Sequence, residues 1–250
     1  LVGSEMCIRD RTYAAAEQIV REDFADIILL ATDEEVEKFI ETFELTKEND
    51  KIWDIYTGCY QEKRLVVCRS GIGKVNSGAM TQYLIDHYHV DLIINSGCAG
   101  SLISKVKIMD VILSSYVTYH DFQPVRIMEA NVPENGKIKA ATKLITIAED
   151  ALKQLNVENY YVAPIASGDC FVTDEVKRDI IYKSTGAYAV DMESASIGHI
   201  CKLNSVPFLS LRTISDFADG NDDFEVIAAY KSSFCLLYTS DAADEARSVD

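Results

Sequence analysis

Two carboxylates, Asp191 and Glu193, stand in the stretch Val190-Asp191-Met192-Glu193-Ser194-Ala195. A β-like run, Tyr188-Ala189-Val190, leads into them, and a helical pattern with Ile197, Ile200 and Cys201 leads out. They sit where a strand hands over to a helix, and open α/β folds hold ligands outside such strand ends. Being two apart, they share a face if the backbone there is extended. Helix capping is the alternative, because first-turn acids satisfy free N–H groups and favour the dipole. A third carboxylate, Asp216, follows the last clear strand, Phe208 to Ile214, in Thr213-Ile214-Ser215-Asp216. A fourth group, Ala31-Thr32-Asp33-Glu34-Glu35, follows Ile27-Ile28-Leu29-Leu30. Capping accounts for Asp33 and reaches Glu34. It does not account for Glu35 if that side chain turns back into a cleft. A carboxylate held in a cleft can transfer protons or bind hydroxyl groups.

The elements that must position these acids are legible in order. Ile27–Leu30 and Leu92–Ile94 are continuous apolar runs, the pattern of strands buried on both faces. Val36, Phe39, Ile40 and Phe43 follow the first run at helical spacing. Residues 52–60 and 62–68 pair as a hairpin. Ser70-Gly71-Ile72-Gly73-Lys74 opens a helix with Val75, Ala79, Tyr83 and Leu84. A Gly-x-Gly-Lys turn can cradle an anion, but it lacks the P-loop spacing and also reads as a plain tight turn. Asn95-Ser96-Gly97-Cys98-Ala99-Gly100-Ser101 reads as a loop of small residues after a strand, where a ligand can approach the backbone. Cys98 has no local His partner and reads as a wall residue. Strands follow at 110–117 and 160–166, and Leu144, Ile147, Ala148 and Ala151 mark a helix. His120-Asp121 reads either as a base pair or as a structural dipeptide. Residues 122–136, with two prolines and Gly136, read as a long functional loop. Phe171, in Ser167-Gly168-Asp169-Cys170-Phe171-Val172, is placed either to stack on a planar base or to fill the core. Arg212 lies inside a strand and needs a partner, since a buried guanidinium is costly alone. Phe224–Ser233 reads as a final helix.

Strands alternate with helices throughout, so the expected fold is an α/β three-layer sandwich with a central mixed sheet flanked by helices. One domain is expected over residues 12–233. Residues 1–11 and 234–250 lack any coherent apolar face, resemble translated adapter read-through, and are set aside. The formal net charge of −16 repels phosphate backbones and anionic membranes, so neither nucleic acid nor a membrane is an expected partner. An uncharged nucleoside is not excluded. Seven Cys without metal-ligand spacing point to a reduced, cytoplasmic protein with no metal. No apolar run approaches the ~18 residues that span a membrane.

Taken together, the six ordered motifs at 31–35, 70–74, 95–100, 167–171, 190–195 and 212–216 resemble the bacterial 5′-methylthioadenosine/S-adenosylhomocysteine nucleosidases, in the nucleoside phosphorylase superfamily. The resemblance covers Ile27 to about Ser233. It implies a mixed sheet between helices, a homodimer, no cofactor, and release of adenine from a 5′-substituted adenosine such as methylthioadenosine, S-adenosylhomocysteine or 5′-deoxyadenosine. On it, Glu35 activates water and Asp216 protonates the leaving purine at N7. Glu193 grips the ribose hydroxyls with Met192 against the sugar. Phe171 stacks on adenine and the backbone of Val172 reads its edge. Cys98, Ala99 and Gly100 line the sugar side, Ile72 joins the substrate-binding set, Arg212 supports the water, and Ser215 supports Asp216. Cleavage through an oxocarbenium-like state with an acid and a base on opposite sides agrees with this set.

The departures fall around the 5′ group. Thr32 stands where the family usually has Met, Cys98 where it has Ser, and Gly100-Ser101 where it has two glycines. Residues 122–136 lack the Ala-Phe-Gly-Tyr run that usually builds the 5′ pocket. Two alternatives remain: a purine nucleoside phosphorylase of the same superfamily, and a non-catalytic nucleoside-binding module. Phosphorylases resembling the bacterial purine enzymes carry Gly-Asp-Pro near residues 31–33 and Arg at position 95; this chain has neither. Binding alone needs no acid opposite a base, so the pair Glu35 and Asp216 favours catalysis.

Overall fold

The computed structural model describes residues 15–17, 19, 26–31, 33–50, 52–60 and 63–218, with the side chains of 26–31, 33–35 and 38 outside that description. The strands are β1 (Asp26–Ala31), β2 (Thr46–Lys47), β3 (Ile55–Tyr60), β4 (Lys63–Arg69), β5 (Leu92–Ser101), β6 (Val111–Tyr119), β7 (Ile138–Lys139), β8 (Tyr160–Ser167), β9 (Ala189–Asp191) and β10 (Phe208–Asp216). The helices are α1 (Asp33–Phe43), α2 (Lys74–Tyr88), α3 (Val125–Asn131), α4 (Thr142–Gln154), α5 (Glu175–Thr185) and α6 (Ser194–Leu203).

All the strands join one mixed sheet in the order β10-β6-β8-β9-β5-β1-β4-β3-β2, with β7 beside β6. The middle is parallel: β1 lies between β4 and β5, and β10 runs along the other side of β5. Of these, β1, β4 and β5 carry continuous apolar runs. Leu92, Ile93, Ile94, Leu209 and Leu211 are all buried, as strands covered on both faces require. The β3–β4 hairpin is antiparallel, as its pattern predicts. The expected mixed sheet flanked by helices is present. One end of it also curls shut: β5, β10, β6, β8 and β9 pair in succession, and β9 returns to β5. This ring draws the ends of β5, β8, β9 and β10 together at one place.

Two sequence expectations need correction. The small residues Asn95–Ser101 do not form a loop; they continue β5. Their backbone is claimed from both sides, by β10 along residues 93–100 and by β9 at Gly100 and Ser101. Small side chains permit that close packing, and the resulting ladder outweighs their weak strand propensity. Residues 122–136 likewise are not one long loop. Pro124 sets an extended lead-in, φ −71°, to α3, and a 3₁₀ turn follows over Pro133–Gly136. Only Met128 of α3 is buried, so the segment carries no apolar period to read. The expected final helix at 224–233 and both set-aside tails lie outside the described residues. Among the described residues, no helix is long and apolar enough to cross a membrane.

Candidate active site

A cavity of about 850 Å³ opens at the carboxyl ends of β4, β5, β8, β9 and β10. That is the site at which parallel α/β sheets expose strand-end loops, and its size suits a small molecule.

Asp216 closes β10 and is 5% exposed. Its Oδ2 accepts from Ser215 Oγ at 2.8 Å, and its Oδ1 accepts from the Ala218 N–H at 3.0 Å. Register sets Asp216 against Gly100 on β5, and Gly100 against Val190 on β9. A Cβ at position 100 would stand 2.8 Å from Asp216 Oδ1 and 3.1 Å from Ala218 Cβ. Glycine at 100 is therefore the space that the carboxylate occupies. The adjacent Ser215 hydroxyl also lies 3.4 Å from the Ala99 carbonyl.

Asp191 and Glu193 have separate tasks. Asp191 ends β9, and its carboxylate accepts from Ser167 Oγ at 2.5 Å and from Arg212 Nε at 2.8 Å. It also accepts from Ser194 Oγ, and at 3.3 Å from the Ser194 N–H, so it does cap α6. Asn95 donates to Ser194 Oγ at 3.1 Å and to Ser210 Oγ at 3.2 Å, extending the network under the cavity floor. Here Arg212 finds the partner that its burial demands: the two side chains are 4% and 1% exposed. Glu193 makes no side-chain cap, although it occupies the residue before α6. It accepts instead from the Gly73 N–H at 3.0 Å and the Met192 N–H at 3.3 Å, with Arg212 Nη2 3.9 Å away. Burial, and then the charge of Asp191, raise the Glu193 carboxyl above the usual carboxylate range, against the opposing pull of Arg212. Glu193 thus faces the cavity as a carboxylate with unused acceptor capacity.

The other wall follows β8. Phe171 is 37% exposed at the cavity, so of the two sequence readings the core one fails. Val172 is buried beside it, in one apolar cluster with Ala166, Val190 and Ala218, and also lines the cavity. Cys98 is partly exposed in the wall and Ala99 is 5% exposed. Met192 lines the cavity between Asp191 and Glu193. Ile72, 74% exposed, sits on the rim. The Gly-x-Gly-Lys turn holds protein carboxylates: its N–H groups go to Glu193 and Asp169.

The structure brings Ile72, Cys98, Ala99, Gly100, Phe171, Val172, Met192, Glu193, Arg212, Ser215 and Asp216 to this one cavity. Glu35 lies in the first turn of α1, four residues past the end of β1. Its side chain is outside the description. Sequence reasoning missed the floor network of Asn95, Ser167 and Ser194, and the rim residues Trp53, Asp54 and Arg69. Ser167 and Ser194 each stand inside a sequence motif, so membership of those motifs was the available signal. Nothing local marked Trp53 or Asp54, which reach the cavity through the hairpin. Among the described residues, no group of three or more His, Cys, Asp or Glu is arranged to hold a metal ion.

Comparison with known proteins agrees with this geometry. Residues 26–237 match the phosphorylase superfamily. A 5′-methylthioadenosine/S-adenosylhomocysteine nucleosidase of Bacillus velezensis is 34% identical over 175 residues, covering 67% of this chain and 74% of that protein. The fold superposes on the nucleosidase of the same description from Neisseria meningitidis, in complex with methylthio-immucillin-A, with a TM-score of 0.73 at 28% identity, over 81% of this chain and 90% of that one. It superposes equally on the native futalosine hydrolase of Helicobacter pylori, with a TM-score of 0.74 at 28% identity, over 82% and 90% of the two chains. The strand-end carboxylates, the cavity they share and these likenesses agree: the chain belongs to the phosphorylase superfamily.

Proposed function

We propose that the protein hydrolyses the N-glycosidic bond of 5′-substituted adenosines, methylthioadenosine and S-adenosylhomocysteine foremost, releasing adenine and the 5-substituted ribose. The observation that carries this reading is the pairing of two carboxylates, the buried Asp216 and the partly buried Glu193, on one cavity, neither of them spent on a helix cap. Likeness to the Bacillus velezensis and Neisseria meningitidis nucleosidases supports the substrate class. In this account adenine stacks on Phe171 and its edge meets the backbone of Val172. Glu193 accepts from the ribose hydroxyls, which its raised proton affinity makes a stronger acceptor once ionised. Asp216, held by Ser215, gives its proton to the purine as the bond breaks. Glu35 takes the proton of the attacking water, and Arg212 keeps its place beside Glu193 through Asp191. Each proton transfer is worth about 10²–10⁴-fold.

The likeness to futalosine hydrolase supports a second reading, in which the nucleoside cleaved is futalosine. The resemblance assigns the departures at Thr32 and residues 122–136 to the 5′ group, which would choose between the two. We further place the protein in the cytosol as a homodimer serving methionine salvage. Adenine release from a panel of 5′-substituted adenosines tests the proposal. Turnover of methylthioadenosine and S-adenosylhomocysteine is the expected result. Binding without release would leave a nucleoside-binding module, and turnover only with phosphate would make the protein a phosphorylase.

A further inference from the structure

Three charged residues in the stretches read from the sequence have no part in the chemistry above: Lys74, Asp121 and Asp169. The structure ties them to one another. Lys74 Nζ sits 2.8 and 2.7 Å from the two carboxylate oxygens of Asp121, and 3.4 Å from Asp169 Oδ2. The Lys74 N–H donates to Asp169 Oδ1 at 2.8 Å. The Asp169 N–H donates to Asp121 Oδ2 at 2.8 Å. Three strand ends, those of β4, β6 and β8, therefore meet on one ammonium group.

The position of this cluster gives it a consequence for the site. One residue before Lys74, the Gly73 N–H binds Glu193 Oε1 at 3.0 Å. Two residues after Asp169 comes Phe171. The cluster thus lies between the carboxylate that meets the sugar and the ring that meets the base. Its packing leaves little slack. Gly73 has φ +90°, and a Cβ there would stand 3.1 Å from Asp169 Oδ1. A Cβ on Gly168 would stand 2.4 Å from the His120 ring. The charges respond to the contact. Burial works to raise Asp121, but its hydrogen bonds from Lys74 and the Asp169 N–H prevail, and it lies below the usual carboxylate range. None of the three side chains is among the cavity-lining residues.

We propose that Lys74 is a positioning residue: with Asp121 and Asp169 it clasps the base-stacking loop 168–172 to the turn 70–73, so that Phe171 and Glu193 hold the base and the sugar of one nucleoside at a fixed separation. The proposal rests on the nucleosidase reading above. Without the clasp the loop and the turn sample other separations, and only the fraction of molecules with the correct one binds. If that fraction falls to one in ten, apparent affinity falls about tenfold while the chemistry of bound molecules is unchanged. A purely structural salt bridge would lower the melting temperature and leave KM alone.

The test compares Lys74→Met, Asp121→Asn and the double variant in full-length protein, by steady-state kinetics with methylthioadenosine and by calorimetry with adenine. Each single variant is expected to raise KM about tenfold with kcat within about threefold of wild type. Adenine affinity should fall similarly, because Phe171 leaves its place. The double variant should be no worse than the poorer single one, since both break the same cluster. Lys74→Arg, which keeps the charge, should recover most of the loss, and it decides the matter with Asp121→Asn if Lys74→Met does not fold. Unchanged KM and adenine affinity in the folded variants, or losses confined to kcat, overturn the proposal. Wild-type protein that binds adenine but cleaves no nucleoside refutes the assigned reaction alone, and the adenine calorimetry still decides the clasp.

Discussion

Replacing Asp191 by Asn tests the cavity floor most sharply, because the two side chains are nearly isosteric and only the charge is lost. In the native site the Asp191 carboxylate accepts from Arg212 Nε, from the hydroxyls of Ser167 and Ser194 and from the Ser194 N–H. An Asn carbonyl can keep the Arg212 and Ser194 side of that set. Its NH₂ can then face Ser167 Oγ, which already accepts from the Ala195 N–H at 2.8 Å and has a second lone pair free to accept. Hydrogen bonding is thus largely recoverable, and the counter-ion of Arg212 is not. Removing one partner of a buried pair costs about 3–5 kcal/mol. Glu193 remains 3.9 Å from the guanidinium, which places the variant near the lower figure, about 3 kcal/mol. For a chain of this length that lowers the melting temperature by roughly 6–12 °C. A second effect has a definite sign. The Asp191 charge is one cause of the raised Glu193 carboxyl, so its removal lets Glu193 stay ionised to lower pH. The acid limb of nucleoside binding should move down in pH. Denaturant unfolding and binding measured across pH read the two effects. A stability loss under about 1 kcal/mol, or an acid limb that moves upward, would refute the reasoning.

Glu193→Gln should weaken nucleoside binding and spare free adenine, measured by calorimetry. It should not weaken the fold: a carboxyl whose folded proton affinity is raised lends stability below its ordinary range near pH 4.5 and loses it as pH rises. The stability of the Gln variant relative to wild type should therefore climb with pH above that range; a fall would contradict the assignment. Asp216→Asn should cut kcat for adenine release by about 10²–10⁴-fold while a stable nucleoside analogue still binds, and retention of more than about a tenth of kcat would remove the general-acid role. Gly100→Ala should lower kcat in a folded protein, because its Cβ would press on Asp216 Oδ1 from 2.8 Å. Normal kcat there would show that the Asp216 carboxylate has room to move without consequence.

Much of this site was legible because strand ends announce themselves in sequence. Apolar-rich stretches such as Leu92–Ile94 and Phe208–Leu211 admit little but buried strands, and the acids and small residues that follow them mark the cavity. What the chain alone did not reveal depends on pairing at long range. Asn95–Ser101 looks like a loop until β9 and β10 supply its ladder. Asp191 and Glu193 look alike until Arg212, twenty-one residues beyond Asp191, claims one of them. Lys74 looks like an anion-binding residue until Asp121 and Asp169 occupy it. The closing of β5, β10, β6, β8 and β9 into a ring is likewise a property of pairing, with no local signal in any strand.

The acceptor is the central chemical claim, and product analysis with and without phosphate tests it most directly. In the proposed reading Glu35 faces Asp216 across the sugar, and a carboxylate there would repel a phosphate dianion, whereas water meets no such opposition. Asn95, which stands at the position where the purine phosphorylases carry Arg, is instead bound to Ser194 and Ser210 and supplies no positive charge. Purified protein incubated with methylthioadenosine should release adenine and free 5-methylthioribose at the same rate in phosphate and in a phosphate-free buffer. A 5-methylthioribose 1-phosphate product, or a rate that rises with phosphate, would contradict the account.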